Sequence, residues 1–156
     1  MSNVFLSHNL RVTTKIRILK CYIWSTMLYA SESWTISREM QRRLEAAEMW
    51  FLRRMWRIPW TERITNAEVL ERSSTRRSLI QSLAKRQLSF FGHVMRKEGL
   101  ENLATTGYIH GKRARGRQRQ TILDWFVRLL ERGKTDILQT TRNRKIWQSM
   151  VADISI

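Results

Sequence analysis

The stretch SREMQRRLEAAEMWFLRRMWRIPW, residues 37–60, decides how the chain reads. Met40, Leu44, Ala47, Phe51, Met55 and Ile58 recur at intervals of three and four, the repeat that lines one face of an α-helix with apolar side chains. Ser37 is placed to cap this helix. Pro59 ends it, because a proline pushes the residue before it out of the α region. Arg42, Glu45, Arg53 and Arg57 occupy the remaining surface. Glu45 and Glu48 stand among Arg42, Arg43, Arg53 and Arg54, where exposed ion pairing is their expected role.

The same repeat extends in both directions. Thr13 or Thr14 can cap a first helix running to about Ala30, with Ile16, Leu19, Ile23, Met27 and Ala30 as its stripe and Ile18, Tyr22 and Tyr29 widening it. Thr65 and Glu68 form a capping-box pattern that opens a short helix to about Arg72. Ser73, Ser74 and Thr75 break it and are placed to cap a longer helix over about 76–97, with Ile80, Leu83, Ala84, Leu88, Phe91 and Met95 inward. Gly92 lies inside that helix, where it costs about 1 kcal/mol relative to Ala, so a close helix crossing or ligand approach is the expected reason for it. Thr121 and Asp124 open another helix, with Ile122, Phe126, Leu129 and Leu130 inward and Gly133 just past its end. A last helix spans about 142–153 with Ile146, Trp147, Met150 and Val151. One proline and six glycines leave few breakers, and no hairpin dipeptide separates alternating runs. The expected fold is all-α. Its expected parts are residues 1–60, a basic helix-turn-helix-like region 61–98, a Gly/Arg-rich linker loop 99–120 and C-terminal helices 121–156.

A chain of 156 residues, 42% apolar and with seven tryptophans, buries enough surface to fold without disulfide or metal staples. The single Cys21 excludes an internal disulfide framework. No apolar run reaches the length of a membrane span, and the apolar stretch in MSNVFLSHNLR is too short for a secretory signal. A nuclear or cytoplasmic protein, not secreted and with no membrane partner, is therefore expected.

Charge narrows the partner. Twenty-nine Lys+Arg against 13 Asp+Glu give a net +16, so one-to-one pairing with every acid would still leave 16 cations over. Such a field favours polyanions, because each neutralised phosphate releases condensed counterions. RNA or DNA is the expected partner, ahead of an anionic membrane or acidic protein, and no small-molecule substrate is expected.

The residues of metal-dependent catalysis are missing. Asp124, Asp136 and Asp153 are isolated, and no two aspartates are adjacent, whereas two-metal chemistry needs clustered carboxylates. His8, His93 and His110 are scattered, and with Cys21 they give no zinc spacing. No P-loop and no GxGxxG appear. No catalytic residue and no metal ligand is assigned.

Three basic clusters remain as candidate nucleic-acid contacts. In MWFLRRMWRIPW, residues 49–60, three tryptophans interleave with Arg53, Arg54 and Arg57, the pairing of stacking surface and cation that holds single strands. Phe51, Met55 and one or two of these tryptophans are expected in the core. Residues 72–97 carry seven Lys/Arg and no acid, and helical spacing puts Arg86, His93 and Lys97 on one broad face, with Lys85 beside them. GKRARGRQRQ, residues 111–120, alternates Lys112, Arg113, Arg115, Arg117 and Arg119 with small or polar residues, which keeps its charges accessible. It also reads as a nuclear-localisation-like patch.

The order of LKCYIWSTMLYASESWT, RRLEAAEMWFLRRMWRIPWTERITNAEVLERS, KRQLSFFGHVMRK and GKRARGRQRQTILDW resembles the C-terminal portion of non-LTR (LINE-type, RTE/BovB-like) retrotransposon endonuclease–reverse transcriptases, over roughly residues 9–150. The resemblance implies a helical thumb over residues 9 to about 60 and a basic, nucleic-acid-binding C-terminal extension after it. It implies an RNA-directed DNA polymerase whose palm aspartates lie upstream, so Mg2+ is expected only in that palm and no cofactor in this chain. The family commonly has Tyr-Gly where this chain has Tyr29-Ala30, and GRPR where this chain has GRQR. If that glycine serves a positive φ, Ala30 strains the turn by about 1 kcal/mol. Two other readings stay open: a stand-alone module using 65–97 as a helix-turn-helix-like unit, and a non-functional relic of such an element.

Overall fold

The computed structural model describes residues 2–7, 9–97, 99–106, 116 and 120–154, and among them there are helices and no strand, so the fold is all-α. Helix α1 covers Ser2–Leu6 and α2 Val12–Ile18. The chain then winds more widely as a π-helix over Leu19–Trp24 before a single α turn, α3, at Ser25–Met27. The buried positions are Lys15, Leu19, Trp24 and Leu28, spaced four, five and four. The one wide step is the i→i+5 repeat of the π turn, which carries one extra residue and resets the phase of the helix. The regular stripe expected through Ile16, Ile23 and Met27 is thereby displaced: these three are half-buried, while Tyr22, Tyr29 and Ala30 are exposed.

Helix α4 spans Arg38–Met55, α5 Asn66–Arg72 and α6 Leu79–Met95. The buried face of α4 is Leu44, Glu48, Met49, Leu52 and Met55. It is rotated by about 70°, at 100° per residue, from the expected stripe through Ala47 and Phe51, both half-buried. Glu48 accounts for the rotation. Instead of pairing at the surface it is buried, and its Oε1 accepts the backbone N–H of Ser78 at 2.8 Å and of Leu79 at 3.2 Å. Two orphan donors at the start of α6 are thus capped by a carboxylate from another helix, not by Ser73, Ser74 or Thr75. Desolvation pushes the Glu48 carboxyl above its ordinary range, opposed by those two hydrogen bonds and by Arg77 and Lys20. Glu45 does form an ion pair, with Arg77 at 3.2 Å.

The Thr65–Glu68 capping box opens α5, with both reciprocal hydrogen bonds formed. Helix α7, Leu100–Thr106, occupies the start of the glycine-punctuated stretch. Helix α8, Ile122–Leu130, begins at the Thr121–Asp124 box. It stops at Glu131 in the left-handed region, φ 53°, while Gly133 lies in extended backbone as the N-cap of α9, Lys134–Arg142. Gly133 therefore starts a helix instead of ending one. Helix α9 was not foreseen; α10 follows at Arg144–Ala152, capped by Asn143.

These elements group into two units. Unit one comprises the residues up to Tyr29 with Glu39–Gln81, and unit two comprises Ala30–Arg38 with the residues from Ser82 onward. In unit one, Leu19, Trp24, Leu28, Leu44, Leu52, Met55, Val69 and Leu79 are buried. In unit two the buried side chains include Ile36, Leu83, Leu88, Phe91, Trp125, Phe126, Ile137 and Trp147. Gly92 answers a packing need there: a Cβ at its position would overlap the Trp147 indole. That indole donates from Nε1 to the Leu88 carbonyl at 2.9 Å and lies 6.0 Å from the Phe91 ring. Gln87, fully buried, donates from Nε2 to the carbonyls of Ser31 at 2.6 Å and Trp34 at 2.9 Å, fastening the 30–38 segment. Ala30, which opens that segment, has φ 54° and ψ 20°, a backbone glycine adopts without strain.

Candidate nucleic-acid interface

The cations and aromatics at the end of α4 are placed by its phase. Opposite the buried Leu44–Glu48–Leu52 side, Arg42, Arg43, Ala46, Trp50 and Arg54 are exposed. Arg43 pairs with Glu39 at 2.6 Å in a solvent-exposed i,i+4 contact, and such pairs are weak and readily exchanged. The Arg54 guanidinium lies 5.6 Å from the centroid of the Trp50 ring, and Phe51 meets the same indole edge-to-face at 5.0 Å and 78°.

The helix ends in a turn of fixed geometry. The Ile58 N–H reaches the Arg53 carbonyl at 3.0 Å and the Arg57 N–H the Arg54 carbonyl at 3.2 Å, with Arg57 itself at φ 54°. This is the Schellman pattern with arginine where glycine is usual. Arg57 also donates to the Leu6 carbonyl, and beside Lys15 it adds to the desolvation that already lowers that buried ammonium's pKa. Arg53 turns away from solvent, donating to the Ile64 carbonyl at 2.7 Å and to Asn66 Oδ1 at 2.9 Å. Trp60 follows, 91% exposed.

No tryptophan of the 49–60 cluster is buried, against the expectation that one or two would be core. Met55 is buried, Phe51 is half-buried, and Trp56 is partly exposed with its Nε1 donating to Ser73 Oγ at 2.9 Å.

In unit two the α6 cations are more occupied. Lys85 donates to the Ala152 carbonyl at 2.9 Å, at the end of α10, where a cation also complements the helix dipole. Arg86 pairs with Glu32 at 3.1 Å, and Arg96, which sequence reasoning did not single out, donates to the Thr141 carbonyl at 3.1 Å. His93 and Lys97 are exposed, with His93 on the same outer side of α6 as Arg86. Lys112, Arg113, Arg115, Arg117 and Arg119 lie outside the described residues, as do His8 and His110.

Sequence reasoning did not count Arg42 and Arg43 among the candidate contacts. The signal was available, since both fall on the α4 face opposite Leu44 and Leu52. Among the described residues, no group of three or more His, Cys, Asp or Glu is placed to hold a metal ion, and no helix is long and apolar enough to cross a membrane. Compared with protein-family models, curated proteins and solved structures, the chain matches none.

Proposed function

We propose that this chain binds nucleic acid through its basic helical surfaces, as the C-terminal part of a non-LTR retrotransposon reverse transcriptase would. Residues 9 to about 60 then act as a thumb against template–primer, and the later helices and the 111–120 loop hold element RNA or target DNA. Polymerisation belongs to an upstream palm with its own Mg2+, and this chain contributes grip and no catalytic group. The observation that carries the reading is the outward row Arg42, Arg43 and Arg54, in a chain whose cations outnumber its acids by 16. The ordered motifs that resemble the family support the narrower assignment.

The test is the salt dependence of binding. The affinity of the full chain for an oligonucleotide falls linearly on a log–log plot against salt. Replacing Arg42, Arg43 and Arg54 with Gln reduces the magnitude of the slope by about 2–2.7, at 0.7–0.9 per phosphate contact. Replacing Lys112, Arg113, Arg115, Arg117 and Arg119 measures the loop's share in the same way. A chain that shows no salt-dependent binding to any oligonucleotide refutes the proposal.

A further inference from the structure

We infer that the outward face of α4 is a binding site for single-stranded nucleic acid, with an unpaired base stacking on the Trp50 indole and Arg42, Arg43 and Arg54 holding the adjoining phosphates. This rests on the nucleic-acid reading above and narrows it: α4 holds an unpaired stretch of strand beside the paired template–primer, and Trp50 is the residue that recognises it.

The first observation is that Trp50 is 55% exposed on a helix with an ample buried side. Tryptophan ordinarily contributes a large buried area, so one left in water on the face opposite Leu44, Leu52 and Met55 gives the fold little. The second is that the ring has neighbours of its own. Helical side chains lean toward the N-terminus, which carries Arg54 back toward Trp50, its guanidinium 5.6 Å from the indole centroid, and the Phe51 ring lies 5.0 Å away at 78°. A ring with packed neighbours loses less freedom when a base is added to its open side. The third is the ground around it. One turn back the exposed residue is Ala46, the smallest side chain on this face, and Arg42 and Arg43 stand one further turn along. Arg43 to Arg54 covers about 16 Å of helix, and no carboxylate interrupts this face between them.

Charge and geometry together select the partner. An apolar protein surface would gain from Trp50 but would have to desolvate three arginines. A duplex offers phosphates to the arginines but no free base face, because each is stacked on its neighbours and unstacking costs a few kcal/mol per step. A single strand satisfies both, since every base has a π-face and stacking on an aromatic is sequence-tolerant.

The experiment uses the full chain with labelled oligo(dT), oligo(U) and a mixed-sequence DNA duplex. Trp50→Ala, at an exposed site and without change of charge, is expected to weaken single-strand binding about tenfold while duplex affinity and the salt slope hold. Trp50→Tyr, which keeps an aromatic face, restores most of the loss. The strand type on which the loss appears, dT, U or both, identifies the sugar that the site accepts. A complementary measurement needs no variant: photocrosslinking the unaltered chain to a 5-iodouracil single strand should leave the adduct on the tryptic peptide 44–53. Wild-type affinity in Trp50→Ala, an equal loss on duplex, or no adduct on that peptide overturns the inference and leaves the broader reading standing. Failure of the unaltered chain to bind any of the three refutes both.

Discussion

Helices α4 and α6 are 18 and 17 residues long and both amphipathic, yet they treat their polar side chains in opposite ways. On α4 the outer arginines have at most an exposed partner, and the one acid on the inner side, Glu48, is buried to cap another helix. On α6 the inner side takes in Gln87 to fasten a loop, and Lys85 and Arg86 outside are tied to a backbone carbonyl and to Glu32. Charge in the sequence is therefore of two kinds. Some cations are tied into the fold, and others stay exposed at its surface; only the three-dimensional arrangement separates them.

The contrast is open to breakage from either side. The largest effect is expected on the packed side of α6, in Gly92→Ala. The substitution gains about 1 kcal/mol of helix propensity. Against this stand about 1–3 kcal/mol of overpacking on the Trp147 ring and the strain or loss of its hydrogen bond to Leu88. A net destabilisation of about 2–3 kcal/mol should appear in urea unfolding, with amide exchange rising first in α10. An unchanged midpoint would mean that the indole has room to move.

Next is the buried side of α4. Glu48→Ala removes the acceptor for two backbone donors and should cost about 1.5 kcal/mol, seen as faster exchange at the start of α6. Acid titration sharpens the comparison, because the two units respond with opposite sign. Glu48 has a raised folded pKa, so between its ordinary value of 4.5 and that higher value the folded state binds more protons. Its contribution to stability therefore improves as pH falls through the window. Asp124, hydrogen-bonded to Lys134 and to Thr121, is lowered from 3.8 to about 2, so its contribution is present above 3.8 and is lost as pH falls through about 2. Solvent screens the Asp124–Lys134 pair, so that effect is small. Amide exchange should show α8 loosening below pH 4, while urea unfolding at several pH values should show the Glu48 contribution to stability rising as pH falls through its window, because protonation relieves the desolvation of the carboxylate; Glu48→Gln should abolish only the second trend.

The smallest change is Ala30→Gly, at the start of the segment that Gln87 holds. Relief of the left-handed backbone, about 1–2 kcal/mol, is partly offset by the greater freedom of glycine when unfolded. A gain of about 0.5 kcal/mol in unit two is expected from thermal unfolding, and a loss would show that the alanine methyl packs usefully.

What could be read from sequence was local. The boxes at Thr65 and Thr121 were legible because both partners lie within one turn, and most of the inner face of α6 because Ile80, Leu83, Ala84, Leu88 and Phe91 keep the repeat; Gln87, buried on the same face, was not, because its partners lie 53 and 56 residues back. The positive φ at Ala30 was expected from the resemblance alone, because alanine itself carries no sign of the left-handed backbone it adopts. Glu48 was misread because its partners lie 30 and 31 residues ahead, where no periodicity reaches. The same error touched Trp50, since a stripe drawn through Ala47 and Phe51 runs nearer that tryptophan than the observed buried face through Glu48 and Leu52. Helix α9 was invisible for another reason: KTDILQTTR offers only Ile137 and Leu138 as apolar residues, and it is held by packing.

The π turn has a consequence in the language of codons. Buried positions 15, 19, 24 and 28 become 15, 19, 23 and 27 when one residue among 20–23 is removed, the even spacing of an uninterrupted α-helix. The segment thus has the length of an α-helix plus one codon, and the surplus residue is absorbed within a single turn. A single-residue deletion at Cys21 should leave a folded protein with the same four sites buried, whereas an equal deletion inside α4 would turn every later side chain by about 100° and dismantle both its faces.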